Sequence, residues 1–179
     1  MDSVLSLYEE IESKNPDSIY TKTLKRGEIL LNKGDVERFG YVVISGALRV
    51  IHHNGDKEQN VRFGYKGSFL SSIPSFFDGT PSKFSIEAIR KTQVKCFSKD
   101  VFFRVLMENE DAIQILLELF SSLSHHFVDR EIDLLTTSPK ALYERVLERS
   151  PTLFQEIPAL HIANYLGMSP EHLSRLRKS

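Results

Sequence analysis

Between Tyr20 and Phe97 the chain is cut into short apolar runs: Ile29–Leu31, Tyr41–Ile44, Leu48–Ile51 and Val94–Phe97. Turn-forming residues separate them at intervals of about eight to twelve positions, namely Gly27, Gly34-Asp35, Gly46, Asn54-Gly55-Asp56, Gly64, Gly67 and Asp78-Gly79. Runs of this length suit strands and are too short for helices. Many short strands at regular spacing close into an antiparallel sandwich or barrel. Asn54-Gly55, between Val50-Ile51 and Val61-Phe63, predicts a hairpin tip with a loop longer than two residues.

Both flanks carry a helical period instead. Val4, Leu7, Tyr8 and Ile11 share one face, and Asn15-Pro16-Asp17 stops that helix. After Ser98 the pattern predicts a helix over Lys99–Met107 and a long one from Glu110 to Leu135. Along the long helix Ile113, Leu117, Phe120, Ser124, Phe127, Glu131 and Leu134 alternate in steps of four and three, with Leu116 and Leu123 widening the stripe. One face can cover the β-domain while the seam meets a second copy, although Ser124 and Glu131 interrupt it. The alternative is one broad amphipathic helix wrapped on its own barrel. Thr136-Thr137-Ser138-Pro139 ends this helix and starts another over Lys140–Arg149, with Ser138 as N-cap and Pro139 at the first helical position. A short helical piece follows from Ser150-Pro151 through Phe154.

From Ile157 onward the spacing is that of two short helices joined by a tight turn. Gly167 reverses the first, and Ser169-Pro170 caps and opens the second. Ile162, Ala163 and Leu166 on one helix can pack against Leu173 and Leu176 on the other, which is the arithmetic of a helix-turn-helix. The remaining face carries Glu171, His172, Ser174, Arg175, Arg177 and Lys178, side chains able to bond base edges or phosphates. A helical hairpin that only caps the domain is the plainer reading.

With 179 residues, 41% of them hydrophobic, the chain can bury a core. Its formal net charge of -1 argues at first against a nucleic-acid partner. Charge is unevenly spread, however, with the excess of cations gathered at Arg175, Arg177 and Lys178. DNA binding would then depend on a local patch and on pairing of two copies, because one patch neutralises few phosphates. Cys96, the sole cysteine, excludes an internal disulfide or multi-thiolate metal site and suits a small buried apolar role. His52 and His53 are adjacent in a strand, point to opposite faces and cannot share a metal. Nucleophile-base pairs and glycine-rich phosphate loops are missing, so neither an enzyme nor a cofactor is expected. The N-terminus lacks the layout of a signal peptide and no apolar stretch reaches membrane-spanning length, which predicts a cytoplasmic protein without a membrane partner.

In this order of parts the chain resembles the Crp/Fnr family of bacterial transcription regulators over nearly its whole length. Leu30-Leu31-Asn32-Lys33-Gly34-Asp35 through Tyr41-Val42-Val43-Ile44-Ser45-Gly46 is similar to the family's first cyclic-nucleotide-domain signature. The resemblance implies an α+β fold: an antiparallel β-roll of the cyclic-nucleotide-binding type, a long dimerisation helix and a small all-α helix-turn-helix. It divides the chain into a sensor domain at 1–109, a linker helix at 110–137 and a DNA-binding module at 138–179.

Gly67-Ser68-Phe69-Leu70 and Pro81-Ser82-Lys83-Phe84-Ser85 fall where the family places its phosphate-binding cassette. Cyclic-nucleotide binders of the family have a Glu straight after the glycine and an Arg later in the cassette. Here Ser68 and Ser82 stand in those places, so binding of cyclic AMP is not expected. Lys83 is one residue away, and in an extended stretch its side chain points to the other side. The implied effector pocket comprises Gly67, Ser68, Phe69, Leu70, Ser82, Lys83 and Phe84, together with His125 and His126 of the long helix. Two adjacent helical histidines diverge by about 100°, so surface or interface placement competes with a pocket that responds to pH or an anion.

Gly167 to Lys178 is similar to the family's recognition helix, in which a Glu and an Arg four residues apart read base edges. Glu171 and Arg175 hold those positions, and Pro170 replaces the family's Arg before that Glu. Ser169 and the first-turn amides are then candidates for a phosphate. The resemblance therefore implies double-stranded DNA, a second copy of the chain and a small effector as partners, in a short form without the family's β-hairpin wing. An interaction module that has lost DNA binding remains the alternative.

Overall fold

The computed structural model describes residues 2–178, with side chains from Tyr8 onward. The Val4 and Leu7 side chains expected on the first helical face lie outside the described residues. The backbone there is the helix Asp2–Lys14 (α1), and its Tyr8 and Ile11 are buried. A single 3-10 turn, Pro16–Ser18, leads into the sheets.

Eight strands follow the glycine punctuation: β1 Ile19–Leu24, β2 Ile29–Leu31, β3 Phe39–Ser45, β4 Ala47–Asn54, β5 Lys57–Tyr65, β6 Phe69–Leu70, β7 Phe84–Ala88 and β8 Thr92–Ser98. They form two four-stranded antiparallel sheets, ordered β1-β8-β3-β6 and β2-β7-β4-β5. Inward side chains of both sheets meet in one core that includes Leu24, Tyr41, Leu48, Leu70, Ile86, Val94 and Cys96. Burial there pushes the Cys96 thiol pKa up, as befits an apolar packing role. Gly46 turns β3 into β4 at φ +90°, where a Cβ would come within 2.5 Å of the Lys91 carbonyl oxygen.

The β4–β5 tip differs from the expected longer loop. Asn54 pairs with Lys57, which leaves two residues, Gly55 and Asp56, in the connection. Gly55 at φ +59° lets the polar ends of both strands stay paired to the tip. The surplus residue sits lower down instead. Val50 pairs with Arg62 and Ile51 with Asn60, so Val61 is a bulge.

The helices are α2 Ile73–Asp78, α3 Lys99–Met107, α4 Ala112–Leu135, α5 Pro139–Arg149, α6 Pro151–Glu156, α7 Ala159–Leu166 and α8 Pro170–Leu176. Ser98 and Ser138 cap α3 and α5 by accepting the Val101 and Ala141 amides, each at 3.3 Å. A second core joins α1, α3 and the inner face of α4 to one sheet, through Ile11, Phe76, Phe97, Phe102, Leu106 and Leu119. Leu116 and Leu123 pack against it, whereas Ile113, Leu117, Phe120, Ser124, Phe127, Glu131 and Leu134 are exposed. The α4 stripe is thus divided: one part is built into this chain's core, and the seam residues are exposed, although Phe120 still meets Phe77 and Phe127 meets Arg62.

A third core unites the C-terminal helices with the β-roll, bringing Leu142, Val146, Ile162, Leu166 and Leu173 together with Ala47 and Ile89. Polar contacts fix this docking. The Asn164 side chain accepts the Asn60 amide at 2.6 Å and donates to the Glu58 carbonyl at 2.9 Å. The Asn60 amide side chain donates to the His161 carbonyl at 3.0 Å, and the Gln59 side chain donates to the Asn164 carbonyl. Arg90 reaches Glu156 at 2.6 Å. The architecture is α+β, two packed antiparallel sheets in a roll with helices on its flanks.

Candidate functional site

The cassette region runs from β6 through α2 to β7. Gly67, at φ +82°, and Ser68 build the turn that enters it: Ser68 Oγ accepts the Tyr65 amide at 3.1 Å, and the Gly67 amide reaches the Val43 carbonyl at 2.9 Å. The hydroxyl that faces Ser82 belongs to Ser72, at 2.9 Å, and both serines are buried. Ser82 Oγ also donates to the Phe84 carbonyl at 2.8 Å, which leaves Ser72 as the donor between the two. These hydroxyls satisfy one another and present no charge. Beneath them Glu37 is nearly fully buried. Its Oε1 accepts the Arg38 and Phe39 amides and the Tyr41 hydroxyl at 2.9 to 3.0 Å, and its Oε2 has no hydrogen-bond partner among the described residues. Burial raises the Glu37 pKa against the opposing pull of those donors.

A cavity of about 630 Å³ opens between β5–β6, α4 and the C-terminal helices. Among the implied pocket residues, Ser68, Phe69, Phe84 and His126 line it. Gly67, Leu70, Ser82, Lys83 and His125 do not; Leu70 and Ser82 are turned into the interior, and Lys83 is exposed. His125 and His126 are both exposed, each ring Nδ1 meeting the carbonyl four residues earlier, at 2.8 and 2.7 Å. Leu123 and Phe127 of the α4 stripe line it too, and much of the remaining wall comes from residues that the sequence did not mark for a pocket: Arg62, Phe63 and Tyr65 on β5, Ser71 and Ser72 in the cassette, Arg130 on α4, Arg149 and Thr152 on α5–α6, and Tyr165 on α7. Arg130 lies 4.0 Å over the Tyr165 ring and donates to the Tyr165 carbonyl at 3.1 Å.

The junction between α4 and α5 is ionic. Asp133, whose side chain is fully buried, accepts Arg145 Nε at 3.0 Å and both terminal nitrogens of Arg149 at 3.1 and 2.6 Å. Asp129 adds Arg145 at 2.5 Å and Arg149 at 3.5 Å. Two acidic and two basic residues, each pair four apart, could have marked this junction in the sequence.

In the C-terminal unit the turn chemistry falls on the expected residues. Gly167 ends α7 at φ +67°, and Ser169 caps α8 by accepting the His172 amide at 3.2 Å, with Pro170 as first residue. Ile162, Ala163, Leu166 and Leu173 are buried, and Leu176 is partly so. Glu171, Ser174, Arg175, Arg177 and Lys178 are exposed, His172 is half-buried, and the Ser169 hydroxyl is occupied by the cap. The Glu171 backbone amide and the Ser169 hydroxyl lower the Glu171 pKa, which keeps a carboxylate at the start of α8 at neutral pH. Among the described residues no group of three His, Cys, Asp or Glu is placed to hold a metal ion, and no helix is long and apolar enough to cross a membrane.

Residues 21–109 match the family model for the cyclic nucleotide-binding domain. The whole fold is similar to FixK2 from Bradyrhizobium japonicum, with TM-score 0.76 at 18% identity over 89% of this chain and 83% of that one. A CooA variant from Carboxydothermus hydrogenoformans gives 0.71 at 16%, covering 90% and 76%. The c-di-GMP-responsive global regulator CLP of Xanthomonas campestris gives 0.67 at 16%, covering 97% and 90%. At these identities the likeness is one of fold. The chain therefore carries a domain of the cyclic nucleotide-binding type at residues 21–109, joined to C-terminal helices in an arrangement like that of FixK2, CooA and CLP.

Proposed function

We propose that this chain is a sequence-specific DNA-binding transcription regulator that works as a homodimer, with a β-roll that takes an effector other than cyclic AMP. The observation that carries this reading is α8. It is capped by Ser169, anchored by the fully buried Leu173, and turns Glu171, Ser174, Arg175, Arg177 and Lys178 outward. Glu171 and Arg175 share one face, where a carboxylate suits a cytosine amino group and a guanidinium suits guanine O6 and N7. The exposed α4 seam supports pairing of two copies, which would set two α8 helices about one DNA turn, roughly 34 Å, apart. The self-satisfied Ser72–Ser82 pair supports the loss of cyclic-nucleotide affinity, since it offers no charge to a cyclic phosphate.

Likeness to a global regulator supports the same class. A second reading, an interaction module that uses its C-terminal helices only for packing, draws on the near-zero net charge. Arg175→Ala separates the two. Fluorescence anisotropy with a selected duplex should show a loss of about 1 to 3 kcal/mol and a relaxed preference at one base position. Unchanged affinity for every duplex tried would favour the module.

A further inference from the structure

Arg62 stands apart from the other two arginines on the cavity wall. Arg149 is bound to Asp133 and Asp129, and Arg130 to the Tyr165 carbonyl and ring. Arg62, half-buried, makes no hydrogen bond and no ion pair among the described residues; its guanidinium lies 5.6 Å from the centre of the Phe127 ring. Asp129, the carboxylate on the same wall, is already held by Arg145 and Arg149. The bulge at Val61 explains how Arg62 comes to line the cavity beside Val61 and Phe63, because an extra residue re-aims the side chains that follow it.

Burial of Arg62 lowers its pKa, so the surroundings penalise its charge without a carboxylate to offset the cost. A guanidinium nevertheless stays protonated in proteins. Five donors held in a fork, aimed at a cavity and left without acceptors, match an oxyanion that arrives with a ligand. The remaining walls describe the rest of that ligand. Phe63, Tyr65, Phe69, Phe84, Phe127 and Tyr165 surround the space, and its volume falls within the range of small-molecule sites.

We propose that this cavity binds an organic anion with an aromatic or apolar body, whose carboxylate or phosphate group is gripped by Arg62 rather than by the cassette. Thr152 and Tyr165, which also line the cavity, belong to the helices that lead to α8, so the ligand would touch both the β-roll and the helix-turn-helix unit. An anion that makes different contacts when these parts are docked and undocked biases that equilibrium. This names the chemistry of the effector in the regulator reading and rests on it for the biological role only. Its test needs no DNA, so failure of one does not imply failure of the other.

The probe is 1-anilinonaphthalene-8-sulfonate, an aromatic anion, compared with its uncharged parent N-phenyl-1-naphthylamine, by fluorescence titration of the full chain. Wild type should bind one sulfonate probe per chain. Arg62→Gln should weaken it about tenfold or more, the scale of a lost charge-assisted bond, while the neutral probe stays within about twofold. Benzoate or phenyl phosphate should displace the sulfonate probe from wild type. Absence of saturable binding by wild type, failure of both competitors, or equal sulfonate affinity in Arg62→Gln would overturn the proposal. If Arg62→Gln loses both probes, Arg62→Lys decides: retention of the neutral probe with weakened sulfonate binding supports it, and loss of both overturns it.

Discussion

Glu37 and Asp133 are both buried carboxylates, and their surroundings set opposite behaviour. Asp133 is met by two guanidinium groups on α5, so the charge is matched. Asp133→Ala would leave Arg145 and Arg149 without their central partner and should cost about 3 to 5 kcal/mol in denaturant unfolding, the usual cost of breaking a buried pair. Glu37 has amide and hydroxyl donors but no cation, and burial raises its pKa. In the unfolded chain a glutamate titrates near about 4.3. Between that value and the higher folded one the native state binds more protons than the unfolded state, so stability falls as pH rises through this window. Glu37→Gln should flatten that fall: the difference in Tm between variant and wild type should move in the variant's favour from pH 4 towards neutrality. A constant difference across that range would mean that Glu37 is not the titrating group.

Among the elements, α4 carries the most exposed apolar side chains, with Ile113 at 76%, Leu117 at 61% and Leu134 at 70%. Leu117→Glu, in mid-seam, should convert a dimer at micromolar concentration to a monomer in sedimentation velocity without lowering Tm much, because Leu117 does not serve the inner core. A wild-type protein that sediments as a monomer would remove the dimer from the account. Legibility in the sequence followed the range of the interaction. Ser138-Pro139, Gly167 and Ser169-Pro170 act within a few residues, so the helix starts and stops could be read directly. The split of the α4 stripe was legible from its period for the same reason. What could not be read depends on partners far along the chain. Ser72, not Ser68, faces Ser82 across ten positions, and Asn164 meets Asn60 across 104. The Val61 bulge moved the surplus residue out of the β4–β5 tip, and Arg62 with it towards the cavity, which no local alternation of apolar and polar residues reveals.

Across the molecule, the C-terminal helices are docked on their own β-roll by one apolar core and by the Asn60–Asn164 contacts. The cavity lies at that same junction, where Arg149 lines it and pairs with Asp133. His161 belongs to this interface. Burial, then Arg49 and Arg26, lower its pKa against Glu87 and Glu58, so protonation below about pH 6.5 weakens the docking and stability is lost as pH falls. Selection of binding sites from a randomised duplex library by the purified chain, at low and moderate salt and with and without cyclic AMP, asks whether two such units read DNA together. Enrichment of a palindrome with half-sites about one helical turn apart is expected, unaffected by cyclic AMP. No enrichment at either salt would contradict it.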